Sequence, residues 1–202
     1  MGRPKPETPP RSDRDLGIRT QRPESLDGLA IDSENLIHAN RYEPTPFGVL
    51  DDMLCGLGLD YARYHFVDLG SGKGRILALA AKYPFGEVTG IEFSRELHQA
   101  ASANLAALRP EYVRAKKIRS ICADAANYVF PPQPLVVFLF NPFRAPVLSR
   151  VLGNLAPAVA TEGPPSYVLY YMPLEGSLLE RESWLRPHSA ARDWAIYQSA
   201  GE

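Results

Sequence analysis

Phe66-Val67-Asp68-Leu69-Gly70-Ser71-Gly72-Lys73-Gly74-Arg75 is the stretch whose reading decides the fold. Apolar and β-branched residues lead into an acid, three glycines follow at alternate positions, and Arg75 opens a helix-like run to Lys82. The order reads as a strand, a tight turn and a helix N-terminus. Glycine there lets backbone N–H groups approach a charged ligand, because no Cβ stands in the way. The spacing rejects a phosphate-binding P-loop, since Val67 occupies its first glycine position and Gly74 follows Lys73 where Ser or Thr is needed. It weakens a dinucleotide fingerprint, whose third glycine falls on Arg75.

Working outward, Glu87-Val88-Thr89-Gly90-Ile91-Glu92-Phe93-Ser94 reads as a second strand that ends in an acid, with Ser94 as a helix N-cap. Glu92 lies twenty residues beyond Gly72, the distance at which a βαβ unit returns its second strand to the same edge. A third strand, Ile118 to Asp124, also ends in an acid. Pro134 to Phe140 is a continuous apolar run, the pattern of a central parallel strand buried on both faces, and it exits into Asn141-Pro142-Phe143-Arg144. Helical runs over 95–108 and 146–160, a fifth strand over 166–172, a short helix over 178–184 and a closing strand over 193–199 complete an alternation. That alternation predicts a doubly wound α/β domain with helices on both faces of a mostly parallel sheet.

Asp68 through Gly74 resembles the first motif of class I S-adenosylmethionine-dependent methyltransferases, an acid followed by x-Gly-x-Gly-x-Gly. The resemblance runs over residues 36 to 199 and implies a seven-stranded, mostly parallel Rossmann-like sheet whose final strand is antiparallel. It implies S-adenosyl-L-methionine as cofactor and S-adenosyl-L-homocysteine as product. The motif of Asp68, Gly70, Ser71, Gly72 and Gly74 matches the cradle for the cofactor's methionine end, where helix-start N–H groups suit the carboxylate and Asp68 suits the ammonium. Glu92, with Phe93 beside it, matches the acid that accepts from both ribose hydroxyls; Asp124 and Ala125 match the pair that meets the adenine. Asn141 and Phe143 fall where many amino-group methyltransferases carry Asn-Pro-Pro-Tyr or Phe, which makes them the catalytic candidates, with Asn141 also touching cofactor. This chain has one proline fewer there. Tyr42 and Thr45 lie in the segment 31–60, which in the family folds over the cofactor and forms part of the acceptor mouth. Read without the resemblance, the glycine turn can simply pack a strand on a helix. Glu92 and Asp124 can be turn and cap acids, and Asn-Pro can be a turn starter.

Composition bounds the rest. The 202 residues, 45% hydrophobic, can bury one core. A formal charge of −1 and a pI of about 6.4 show no basic excess, which disfavours nucleic acid as partner. Two cysteines, Cys55 and a Cys122 placed in a buried strand, suit a reducing cytoplasm, and no run is long and apolar enough for a membrane. Four histidines show no metal-ligand spacing, so no metal is expected, and His38 reads as a solvated loop histidine. Residues 1–30, rich in Pro, Arg and Asp, read as a flexible tail before a single domain over 31–202, with order beginning near Leu36. Thr45 and Pro46 read as cap and first residue of a helix carrying Phe47, Leu50, Leu54 and Leu57. The function these features imply is methyl transfer to an acceptor, nitrogen (a protein lysine or a small amine) before oxygen. The alternatives are a non-catalytic module that binds S-adenosylmethionine and an NAD-dependent oxidoreductase. Oligomeric state stays open.

Overall fold

The computed structural model describes residues 10–24, 34–38, 40, 42–160 and 163–200. One seven-stranded sheet runs through it: β1 (His65–Leu69), β2 (Glu87–Glu92), β3 (Ile118–Cys122), β4 (Leu135–Phe140), β5 (Tyr167–Tyr171), β6 (Leu185–Ala190) and β7 (Trp194–Ser199). The spatial order is β3-β2-β1-β4-β5-β7-β6, with β7 antiparallel to both β5 and β6 and every other pairing parallel. All of β1 is buried, as is β4 up to Phe140, which is why these strands read as unbroken apolar runs. The helices are α1 (Asp13–Leu16), α2 (Val49–Leu54), α3 (Arg75–Ala80), α4 (Arg95–Ala107), α5 (Ala145–Val159) and α6 (Gly176–Glu180). Two apolar cores lie on opposite faces of the sheet. One gathers Leu16, Leu50, Phe66, Leu77 and Phe138; the other gathers Val67, Leu139, Leu148, Leu152 and Leu179. The chain winds from β1 to β2 and β3 on one side, then returns to β4 on the other. The resulting crevice opens at the carboxyl ends of β1 and β4.

Several expectations change. The sequence marks six individual strands of the seven that the resemblance implies; the other, β6, buries only Leu185 and carries Pro187 beside a register shift, so no alternating pattern marks it. Proline on an edge strand removes no ladder hydrogen bond that a neighbour needs. Cys122 is exposed rather than buried, because β3 is the opposite edge. Helix α2 begins at Val49 behind Gly48 and has no side-chain cap; Thr45 is instead buried, and its carbonyl accepts from Arg75 Nη1 at 2.9 Å. Among the described residues no helix is long and apolar enough to cross a membrane.

The expected flexible tail is corrected over residues 10–24, which form a strap. Ser12 caps α1 by accepting from the Asp15 N–H, and Leu16, Ile18 and Thr20 are buried. The strap crosses α4, where Arg109 N donates to Leu16 O at 3.0 Å and Asn104 Oδ1 accepts from Arg19 N at 2.9 Å. It ends at a bridge between Glu24 and Tyr42. The remaining tail residues, 1–9 and 25–30, lie outside the described residues.

Candidate functional site

A cavity of about 400 Å³ occupies the crevice, within the range typical of small-molecule sites. Its walls come from the ends of β1, β2 and β4, the turn after β3, and the segment that leads into α2. Asp68, Gly70, Ser71 and Gly72 line it from the first strand and turn, Glu92 and Phe93 from the second, and Asp124 and Ala125 from the third. Asn141 and Phe143 line it beyond β4, and Tyr42 and Thr45 close it from the N-terminal side. The structure thus brings together every candidate except Gly74. That residue caps the start of α3 and faces Ala101 of α4.

The turn is tight because aromatic and proline side chains press on its backbone. At Gly72 (φ +52°) a Cβ would stand 2.2 Å from the Tyr42 ring; at Gly70 (φ +75°) it would stand 2.6 Å from Pro142. Only glycine satisfies both the backbone angle and the contact. Tyr42 is held in turn by its hydroxyl, which donates to Thr20 O at 2.9 Å.

Two buried carboxylates stand side by side. Glu92 is 3% exposed; Oε2 accepts from Gly72 N at 2.8 Å and Oε1 from Ser94 N at 2.9 Å. Burial pushes it up to about 6, against the pull of the Ser94, Gly72 and Phe93 N–H groups. Asp68 is likewise 3% exposed, and burial, with the Glu92 charge adding to it, lifts its carboxyl well above the usual range. Beside them the Ser71 hydroxyl is buried with no hydrogen-bond partner among the described residues. Such a set favours a ligand that brings a cation and hydroxyl donors.

At β3's end Asp124 Oδ1 accepts from Ala126 N at 2.8 Å, capping a short 3₁₀ turn, while Oδ2 accepts from Asn35 Nδ2 at 2.7 Å. Asn141 adopts φ +40°. Its Oδ1 accepts from the Tyr170 hydroxyl at 3.3 Å, and its carbonyl accepts from Asn40 Nδ2 at 2.7 Å. Asn40 N also donates to Pro142 O at 3.1 Å. Asn35 and Asn40 were missed by sequence reading. A lone Asn in a loop carries no signal, and both act across more than eighty residues. Arg75 was read only as a missing glycine. It lines the cavity and is 4% exposed, with Nε donating to Thr20 Oγ1 at 2.6 Å and Nη2 to Asp13 Oδ1 at 3.1 Å. Of His38 no side-chain placement is described.

Comparison with known proteins bears on this arrangement directly. Residues 66–163 match the family model described as a methyltransferase domain. By this match the segment is a methyltransferase domain. No curated protein sequence matches the chain. Among solved structures, the yhhF protein from Escherichia coli is similar at 19% identity, with a TM-score of 0.58, over 81% of this chain and 93% of that one. The ribosomal protein L11 methylase from Lactobacillus delbrueckii subsp. bulgaricus follows at 16% identity and TM-score 0.53, over 76% of this chain and 77% of its own. An rRNA methylase from Streptococcus thermophilus is similar at 13% identity and TM-score 0.51, over 79% of this chain and 98% of that one. At these identities the structural likeness speaks for the fold. The methyltransferase family uses S-adenosyl-L-methionine and releases S-adenosyl-L-homocysteine. The residues present fit that cofactor: its ammonium and ribose hydroxyls are what the buried Asp68 and Glu92 carboxylates and the unpartnered Ser71 hydroxyl lack.

Proposed function

We propose that this methyltransferase acts on an amino nitrogen, carried by a protein lysine or a small amine, and that the residues lining the cavity divide the work as follows. Asp68 holds the ammonium of the cofactor, and the backbone of Gly70, Ser71 and Gly72 holds its carboxylate, with Gly74 setting the start of α3 behind them. Glu92 accepts from the ribose hydroxyls, with Phe93 beside it. Asp124 and the Ala125 N–H read the adenine. Tyr42 and Thr45 cover the methionine end. Bound cofactor supplies a methyl group already activated on a sulfonium, so the protein's task is to orient and desolvate the incoming nitrogen.

The observation that carries the nitrogen reading is Asn141. Asn141 lines the cavity; among the described residues its side-chain oxygen accepts one hydrogen bond, from Tyr170, which leaves a lone pair for an acceptor N–H. Pressed between Pro142 against Gly70 and the Asn40 bonds, the turn has little freedom to swing. Phe143 and Phe140 supply apolar walls that keep water from competing.

The test is transfer of radiolabelled methyl to lysine peptides, small amines and hydroxyl compounds in parallel. Label on an amine is the expected result, and label confined to hydroxyl compounds contradicts the reading. Asn141→Ala should leave cofactor affinity within about twofold and lower kcat roughly 100-fold, the scale seen when one positioned polar contact is lost. Tyr170→Phe, which keeps the buried ring and removes only the hydroxyl, should lower kcat by a smaller factor and again spare cofactor binding. Unchanged turnover in both variants would remove Asn141 from the mechanism.

The raised carboxylates add a pH dependence with a defined sign. In the cofactor-free fold Glu92 keeps its proton up to about pH 6, and burial with the neighbouring Glu92 charge also raises Asp68 well above the ordinary carboxylate range. Both must ionise to meet an ammonium and accept from hydroxyls. Cofactor binding therefore releases protons, and affinity falls about tenfold for each linked proton and pH unit as the pH drops below about 6. The stability of the free protein moves the other way. The native state holds protons that the unfolded chain has lost, so stability declines as pH rises from the ordinary carboxylate range through the raised values. Calorimetric titration in two buffers of different ionisation enthalpy checks the proton release; affinity independent of pH between 5 and 8 contradicts it.

A further inference from the structure

We propose that the outer face of the N-terminal strap is a docking track for a nucleic-acid strand. Along residues 11–22 burial sorts the side chains by charge: Asp13, Leu16, Ile18 and Thr20 face inward, while Arg11, Arg14, Arg19 and Arg22 are exposed. The inward Asp13 is engaged by Arg75 and Thr20, and the other acids of the strap are Asp15 and Glu24. None of the four outer arginines forms an ion pair with a described residue. Exposed Arg109 joins them at the strap's start, where its N–H bonds Leu16 O, and the acid near it is Asp15. At the far end Lys73 Nζ donates to Arg22 O at 2.9 Å and pairs with Glu24, which ties the last arginine to the glycine turn at the cofactor cavity. Exposed arginines thus recur along the strap between α4's C-terminal end and the glycine turn.

The whole chain carries a formal charge of −1, so this row is an asymmetry that composition conceals. Two features favour phosphodiester over an acidic protein. The row is all arginine, whose planar fork matches phosphate oxygens. The exposed strap residues between and beside the arginines include Gln21 and Pro23 but no aromatic or aliphatic anchor, and a protein interface is built around such an anchor. Nucleic-acid backbone binding needs only the cations. The track concerns docking and stands apart from the choice of acceptor nitrogen.

The experiment is fluorescence anisotropy of the full chain with labelled single-stranded RNA and DNA 12-mers of mixed sequence, at several salt concentrations. Three to five phosphate contacts predict a log–log salt slope of about −2 to −3.5, or roughly a 20- to 100-fold loss between 50 and 200 mM salt. Arg14→Glu with Arg19→Glu should weaken binding at least tenfold and leave S-adenosylmethionine affinity unchanged, which also reports that the fold is intact. Binding of either strand with that slope supports the track. Absence of binding by wild type at 50 mM salt, an unchanged affinity in the double variant, or displacement by polyglutamate at equal charge concentration overturns it. The wild-type slope stands as a test even if the double variant misfolds.

Discussion

Replacing Arg75 with methionine is expected to lower the free energy of unfolding by about 3–5 kcal/mol and the melting temperature by roughly 10–15 °C. Arg75 is 4% exposed, and its guanidinium serves three partners at once: Asp13 Oδ1, Thr20 Oγ1 and Thr45 O. The Phe47 ring packs against it, with 4.8 Å from ring centroid to the guanidinium carbon. Removing one member of a buried ion pair leaves the other charge without its compensation, and that penalty exceeds what the intact pair contributes. Here the stranded group is Asp13, whose carboxylate also organises the strap by accepting from the Thr20 and Gln21 N–H groups. The loss therefore spreads to residues 11–24, and limited proteolysis should cut the strap first. Combining Arg75→Met with Asp13→Asn should restore part of the loss, because neither charge then remains buried alone. A melting temperature within 2–3 °C of wild type for the single variant would show that the strap is not anchored through this pair.

Gly72→Ala is expected to lower affinity for S-adenosylmethionine by at least 100-fold while far-ultraviolet dichroism stays near wild type. The added Cβ would sit 2.2 and 2.3 Å from two Tyr42 ring carbons, closer than any relaxed contact, and φ +52° strains an L residue as well. Relief requires the Tyr42 ring to leave its place, which breaks its hydroxyl bond to Thr20 O. Alternatively the turn must move, which breaks the bond from Gly72 N to Glu92 Oε2. Either route dismantles the cavity wall at the point where the cofactor's charged end would lie. An affinity within about threefold of wild type would mean that this turn does not contact the cofactor.

The three strand-end acids could be read from sequence because each follows a strand-like stretch in the expected order, although the edge strand before Asp124 is not an apolar run. Asp68 ends the run into the glycine turn, Glu92 precedes a serine that does cap α4 by accepting from Leu97 N, and Asp124 caps its own turn. Position at a strand's carboxyl end then brings them to one crevice whatever the loops do. The strap could not be read this way. Its inward residues are one aspartate, one threonine and two aliphatics in a Pro- and Arg-rich stretch, and what orders them is Arg75, sixty-two residues from Asp13 in sequence. Composition argues for disorder when a segment's partners are remote. Asn35 and Asn40 were hidden for the same reason. Strand β6 was hidden because an edge strand with one buried residue has no period to detect. The near-neutral total likewise gives no sign of the four arginines exposed along the strap.

The central claim is that the crevice built by Asp68, the glycine turn and Glu92 is an S-adenosylmethionine site. Calorimetric titration of the purified chain with S-adenosylmethionine, with NAD as control, tests it most directly. Saturable one-to-one binding of S-adenosylmethionine, with no heat from NAD, is the predicted result. Preference for NAD, or no binding of S-adenosylmethionine at neutral pH, would contradict the account.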